Sequence, residues 1–281
     1  MFQSYSYSIE QIQARVKEII SQGKKNIDKQ EAYRHILSFI DLTTLEGADT
    51  DEKASHLAQQ ASNYQVAAKN IPNVAAVCVY PTLVKTVKEN LSDNNIGVAS
   101  VAGAFPAGQS PIHIKVAEVK YAVEQGANDI DMVISRGKFL EGKHEDVQQE
   151  VSAIKAACGT AHLKVILETG ELLSVENIRK ASEIAIIGGG DFIKTSTGKI
   201  PIAATLEAML IMIETIKEYY EISGKKIGIK PAGGISEPEV ALDYYILVKE
   251  VLGEEWLTNK LFRIGASRLA NKVYNILLEE K

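Results

Sequence analysis

Two segments of the chain place a lysine just ahead of a small, glycine-bearing turn: Asp191-Phe192-Ile193-Lys194-Thr195-Ser196-Thr197-Gly198-Lys199 and Gly228-Ile229-Lys230-Pro231-Ala232-Gly233-Gly234-Ile235. A lysine attacks a carbonyl to form an imine only when it is neutral, and a second cation nearby or a desolvated pocket lowers its pKa enough for that. With Lys194 and Lys230 on adjacent strands, one serves as nucleophile and the other as the cation that tunes it. A carboxylate such as Asp131 then moves protons between carbon, oxygen and nitrogen. Together these groups are a complete set for imine-based carbon–carbon bond chemistry.

Such side chains need elements that bring them together. After a polar connector at 24–30, short runs rich in Val and Ile alternate with longer segments of helical periodicity, the pattern of parallel βαβ units. Strands are expected at 36–43, 74–80, 96–104, 129–134, 163–168, 192–195, 227–231 and 261–265. Helices are expected at 51–68, 81–91, 111–125, 144–157, 174–187, 202–220, 237–251 and 267–278. Eight strand–helix pairs point to an α/β fold, a closed (β/α)8 TIM barrel rather than an open sheet. Ser8 and Gln11 form a capping box ahead of Ile9, Ile12, Val16, Ile19 and Ile20, which predicts an additional N-terminal helix. The organisation read from this is an N-terminal helical extension over 1–30 and one barrel over 31–281.

Residues two apart in a barrel strand point the same way. Ile40 and Leu42, Ile130 and Met132, Val165 and Leu167, and Ile227 and Ile229 then face the helices. Asp41, Asp131, Lys164 with Glu168, and Lys230 face inward, mostly toward the C-terminal strand ends where barrel enzymes build their sites. Inward charges must be paired or functional; the plainer reading of any one of them is a structural ion-pair network. The loops after strands seven and eight, Gly233-Gly234-Ile235-Ser236 and Gly265-Ala266-Ser267-Arg268, stand where barrels often hold phosphate.

Other chemistries are set aside. Ser196-Thr197-Gly198-Lys199 resembles the end of a nucleotide P-loop, but Ile193 and Ile200 occupy positions that need glycine and Ser or Thr. Gly188, Gly189 and Gly190 lead into a strand rather than out of one. The five histidines are scattered without a metal-ligand pairing, so neither a metal nor another cofactor is expected. A net charge of -5 with no basic block argues against nucleic acid. No window is apolar enough for a membrane span, and no signal peptide is evident. Cys78 and Cys158 read as free thiols, so a reducing, cytoplasmic location is expected.

The chain resembles the deoxyribose-phosphate aldolase family of class I, Schiff-base-forming aldolases. The similarity runs from about Phe39 to the last helix. It rests on Ile40-Asp41-Leu42-Thr43-Thr44-Leu45, Ala76-Val77-Cys78-Val79-Tyr80-Pro81, Gly126 to Val133, Leu163 to Leu172, the strand-six segment ending in Lys199, Lys230 to Gly234, and Gly265-Ala266-Ser267. The resemblance implies reversible cleavage of 2-deoxy-D-ribose 5-phosphate to D-glyceraldehyde 3-phosphate and acetaldehyde. It implies Lys194 as the Schiff-base lysine, Lys230 as the lysine that depresses its pKa, and Asp131 as the acid–base carboxylate. Asp41, Thr43, Cys78, Thr197 and Lys199 would line or hold the substrate, and Gly198, Gly233, Gly234, Gly265 and Ser267 the phosphate. A homo-oligomer, with a dimer preferred, is implied as well. Two competing readings are a Schiff-base aldolase for another phosphorylated sugar and a non-catalytic sugar-phosphate-binding barrel.

Three departures qualify the match. Ser236 stands where bacterial members carry an arginine, and Arg268 where they carry a second serine, so Arg268 is expected to replace the missing cation in the phosphate grip with Ser236 beside it. The sequence closes on Leu278-Glu279-Glu280-Lys281 without a tyrosine, so no proton-shuttling tail is carried over.

Overall fold

The computed structural model describes residues 2–68 and 70–279; Glu280 and Lys281, the end of the closing segment, lie outside them. Eight parallel strands, β1 (Ile40–Thr43), β2 (Ala76–Val79), β3 (Gly97–Ala102), β4 (Asp129–Val133), β5 (His162–Ile166), β6 (Phe192–Lys194), β7 (Gly228–Lys230) and β8 (Ile264–Ala266), follow the order β7-β6-β5-β4-β3-β2-β1-β8. The Ile229 N–H donates to the Leu261 carbonyl at 2.8 Å and the Gly265 N–H to the Pro231 carbonyl at 2.9 Å, joining the two ends of the sheet. The result is the expected (β/α)8 barrel.

Its wall explains the inside–outside alternation. Ile40, Leu42, Ile130, Met132, Val165, Leu167, Ile227 and Ile229 belong to the apolar layer between strands and helices. Burial of each such side chain stabilises by about 1.5–3 kcal/mol. Ala76, Cys78, Ala99 and Val101 pack with Leu45 as a second, smaller apolar cluster. The opposite parity on β1, β4, β5 and β7 carries Asp41, Asp131, Lys164 and Lys230, all fully buried.

The helices are α1 (Ile9–Gly23), α2 (Lys29–Phe39), α3 (Asp51–Ala67), α4 (Val84–Asn90), α5 (Ile112–Glu124), α6 (Arg136–Leu140), α7 (His144–Cys158), α8 (Thr169–Leu172), α9 (Val175–Ile187), α10 (Leu206–Ser223), α11 (Pro238–Leu252) and α12 (Leu269–Glu279). The capping box that starts α1 is formed: the Ser8 N–H donates to Gln11 Oε1 at 2.8 Å, and the Gln11 N–H to Ser8 Oγ at 3.3 Å. Ile12, Val16 and Ile20 are buried where α1 lies along α10 and α11. Lys24 fastens it to Asp243 at 2.6 Å.

The first strand is shorter than expected. Residues 29–39 form α2, capped by the Asp28 carboxylate, which accepts from the Gln30 and Glu31 N–H groups. The apolar run Ile36-Leu37-Ser38-Phe39-Ile40 therefore ends a helix before it begins β1, and the expected boundary at 30/31 falls inside α2.

Candidate active site

Lys194 and Lys230 are register partners on neighbouring strands. Lys194 ends β6 and is 3% exposed, whereas Lys230 ends β7 and is wholly buried. Both ammonium groups converge on one carboxylate oxygen, each Nζ lying 2.7 Å from Asp131 Oδ2. Lys230 also donates to Asp41. Asp131 Oδ1 is buried and accepts no hydrogen bond, its nearest cation being Lys164 Nζ at 3.5 Å.

A larger ionic cluster lies beneath the pair. Arg263 Nη1 reaches Asp41 Oδ1 at 2.7 Å and Asp129 Oδ2 at 3.3 Å. Lys164 Nζ sits 2.6 Å from Asp129 and 3.5 Å from Asp131; the contacts are ionic, without a well-aligned hydrogen bond. Asp41, Asp131 and Lys164 occupy the middle of their strands rather than the C-terminal ends. That corrects the expected placement, because β1, β4 and β5 extend past these residues before their loops begin. Asp129 and Arg263 were not foreseen. Asp129 precedes Asp131 by two residues and Arg263 precedes Gly265 by two, so inward parity was the signal that points to both.

This arrangement separates the two lysines. Burial pushes the Lys194 ammonium below its ordinary range, and the Lys230 cation adds to that against the pull of Asp131. Burial acts the same way on Lys230, yet Asp131 and Asp41 together hold it well above the usual lysine range. The Asp131 carboxyl, although buried, is held well below the usual carboxylate range by Lys194, Lys230 and Lys164.

A cavity of about 520 Å³ opens above Lys194. Thr43, Thr197, Gly198, Lys199, Gly233, Gly234, Ser236, Gly265, Ser267 and Arg268 line it, so both glycine turns and the Ser236/Arg268 exchange meet at one space. Asp41, Cys78, Asp131 and Lys230 are not among the lining residues. They lie buried in the barrel interior, where Asp41 is engaged by Lys230 and Arg263. Cys78 packs among small apolar side chains, and burial pushes its thiol up to about 11.

The loops are shaped by their glycines. Gly233 has φ +83°, and a Cβ there would approach Ala203 Cβ to 2.5 Å. At Gly265 an added Cβ would stand 2.8 Å from Ala232 Cβ and 3.3 Å from Lys230 Cε, so any larger residue presses on the lysine itself. The 197–199 turn is held by Glu168, whose Oε1 accepts from the Thr197 N–H at 3.0 Å while Oε2 meets Arg136 Nη1 at 3.1 Å. Glu168 adopts a left-handed backbone, φ 57°, a strained state that persists only where its surroundings enforce it. Lys199 in turn pairs with Glu46 at 3.0 Å across the cavity lining.

Comparison with known proteins gives a consistent picture. Residues 35–243 match the family described as DeoC/LacD family aldolase. A Caenorhabditis elegans chain is 48% identical over 250 residues, 88% of this chain and 82% of its own length. The Mus musculus deoxyribose-phosphate aldolase is 43% identical over 266 residues, 90% of this chain and 83% of that one. Among solved structures, the tetrameric deoxyribose phosphate aldolase of Aeropyrum pernix superposes with a TM-score of 0.71 at 26% identity, over 92% of this chain and 96% of the other.

Proposed function

This chain belongs to the DeoC/LacD family of aldolases, and from that premise we propose that it reversibly cleaves 2-deoxy-D-ribose 5-phosphate to D-glyceraldehyde 3-phosphate and acetaldehyde through a Schiff base on Lys194. The observation that carries the reading is the shared oxygen: Lys194 and Lys230 on the same Asp131 Oδ2, with the first lysine driven toward neutrality and the second kept charged.

Neutral Lys194 adds through Nζ to the C1 aldehyde of the open-chain sugar, and loss of water gives the iminium. Removal of the proton from the C3 hydroxyl breaks the C2–C3 bond, releasing glyceraldehyde 3-phosphate and leaving its bonding electrons in an enamine on Lys194. Protonation of the enamine at C2, followed by addition of water to the iminium, releases acetaldehyde and restores the amine. Asp131 and Lys230 carry these protons in this reading, which their shared contact with Lys194 supports.

The sugar phosphate rests on the Gly198, Gly233, Gly234 and Gly265 turns with Ser236, Ser267 and Arg268, the last directly preceding α12. Thr43, Thr197 and Lys199 contact the substrate's middle. Asp41 and Cys78 act from below, by holding Lys230 and by shaping the interior. Like the Aeropyrum pernix protein, the chain is proposed to form a homo-oligomer. Incubation with deoxyribose 5-phosphate and identification of both products tests the reaction: acetaldehyde with glyceraldehyde 3-phosphate supports it, and any other aldehyde pair contradicts it.

A further inference from the structure

Three carboxylates, Asp41, Asp129 and Asp131, share the barrel interior with four bases, Lys164, Lys194, Lys230 and Arg263. If Lys194 is the neutral base, three cations face three anions. A fourth cation would leave a net positive charge in a desolvated space, which is costly, and of the three lysines Lys194 is the one that borders the cavity. Asp129 opens β4 and Arg263 precedes β8, at the strand ends opposite the cavity. Neither lines the cavity, yet Arg263 holds the Asp41 that holds Lys230, and Asp129 holds the Lys164 that faces Asp131.

We infer that Arg263 and Asp129 are positioning residues which set the protonation of Lys194 from the end of the barrel opposite the cavity, through the charge balance of the interior. This rests on the proposed role of Lys194 as the imine-forming lysine. The groups that face Lys194 are Asp131 from β4, Lys230 from β7 and Cys78 from β2, with Asp41 on β1 and Lys164 on β5 one contact further. Glu168 is taken up by Arg136 and Thr197. From α9, behind β6, Arg179 turns to Glu183 and Glu218. On the other side, the exposed His162 lies 3.2 Å from Asp129 Oδ1, and Arg263 Nε donates to the Asn259 carbonyl. The interior balance is thus set by the seven named groups, with the exposed His162 at its rim.

The consequence is a pair of opposite shifts. Arg263→Gln leaves one anion in excess, so Lys194 holds its proton to higher pH and the acid limb of kcat/KM moves up by about one pH unit. Asp129→Asn leaves one cation in excess, and the limb moves down by a similar amount. The Arg263→Gln/Asp129→Asn double variant restores the balance and returns the limb to its wild-type position, as does Arg263→Lys alone. A role confined to holding the barrel end together lowers the melting temperature in these variants without moving the limb in either direction. The experiment is the pH profile of kcat/KM for deoxyribose 5-phosphate cleavage, with borohydride trapping of each variant in parallel. Opposite shifts support the inference. Unmoved limbs with the adduct still on Lys194 overturn it while leaving the proposed function intact, and an adduct elsewhere in the wild-type protein overturns the proposed function instead. If Arg263→Gln does not fold, the downward shift in Asp129→Asn decides alone.

Discussion

Replacing Lys230 with methionine removes a charge while keeping most of the side-chain volume, and the structure sets the size of the effect on Lys194. Both Nζ atoms lie 2.7 Å from one oxygen, so they cannot be much more than 5 Å apart. At about 5 Å and an effective dielectric near 20, two unit charges repel by about 3 kcal/mol, or roughly two pKa units. Without Lys230, Asp131 also turns its whole attraction on Lys194, which acts in the same direction. Lys194 then remains protonated through neutral pH. Lys230→Met should lose about 100-fold in kcat/KM at pH 7, and the acid limb of the profile should rise by about two pH units. Acetaldehyde release followed with a coupled alcohol dehydrogenase across pH 5 to 10 measures both. A loss of activity that is uniform with pH, with the limb in its wild-type position, refutes the idea that Lys230 tunes Lys194 and leaves it only a proton-carrying part.

Asp131→Asn should lower kcat by about 10²- to 10⁴-fold. It also leaves the Lys194 and Lys230 ammoniums short of their shared anion, so calorimetry should show destabilisation of about 3–5 kcal/mol. Arg268→Ala should raise KM for the phosphorylated sugar by about tenfold, the size of one charge-assisted hydrogen bond, while turnover of unphosphorylated deoxyribose stays the same; an unchanged KM refutes the exchange with Ser236. Gly265→Val should lower kcat as well as the melting temperature, because the new side chain meets Lys230 Cε and Ala232; a variant of normal kcat would show that the lysine tolerates displacement. Asp41, Asp129 and Asp131 all ionise below the usual carboxylate range in the folded chain. Their contribution to stability is thus complete above the unfolded carboxylate pKa of about 4 and is lost as pH falls below it. A melting temperature that stays flat from pH 5 down to 2 contradicts this.

The barrel was legible because strand and helix periods alternate cleanly from β2 to α12, and the inward parity of Asp41, Asp131, Lys164 and Lys230 was legible because their neighbours are apolar. What escaped did so for local reasons. The helix α2 ends in the same apolar run that starts β1, and only its Asp28 cap with Glu31 in the first turn marks it as helical. Arg263 directly precedes a strand of only three residues, so parity with Gly265, two residues on, was the one signal of its inward direction. Asp41 shares β1 with the lining residue Thr43, and the depth that separates a lining side chain from a buried one, as at Asp41 and Cys78, is a property of the closed barrel. The phosphate turns were readable as glycines, and Ser236 and Arg268, expected beside each other, border the same cavity.

The central claim is that Lys194, and not Lys230 or Lys164, forms the imine. Borohydride reduction during turnover of deoxyribose 5-phosphate, followed by peptide mass mapping, addresses it directly. The account predicts one adduct, of the mass of the reduced two-carbon or five-carbon imine, on the peptide carrying Lys194. An adduct on Lys230 or Lys164, or protein recovered unmodified after productive turnover, contradicts it.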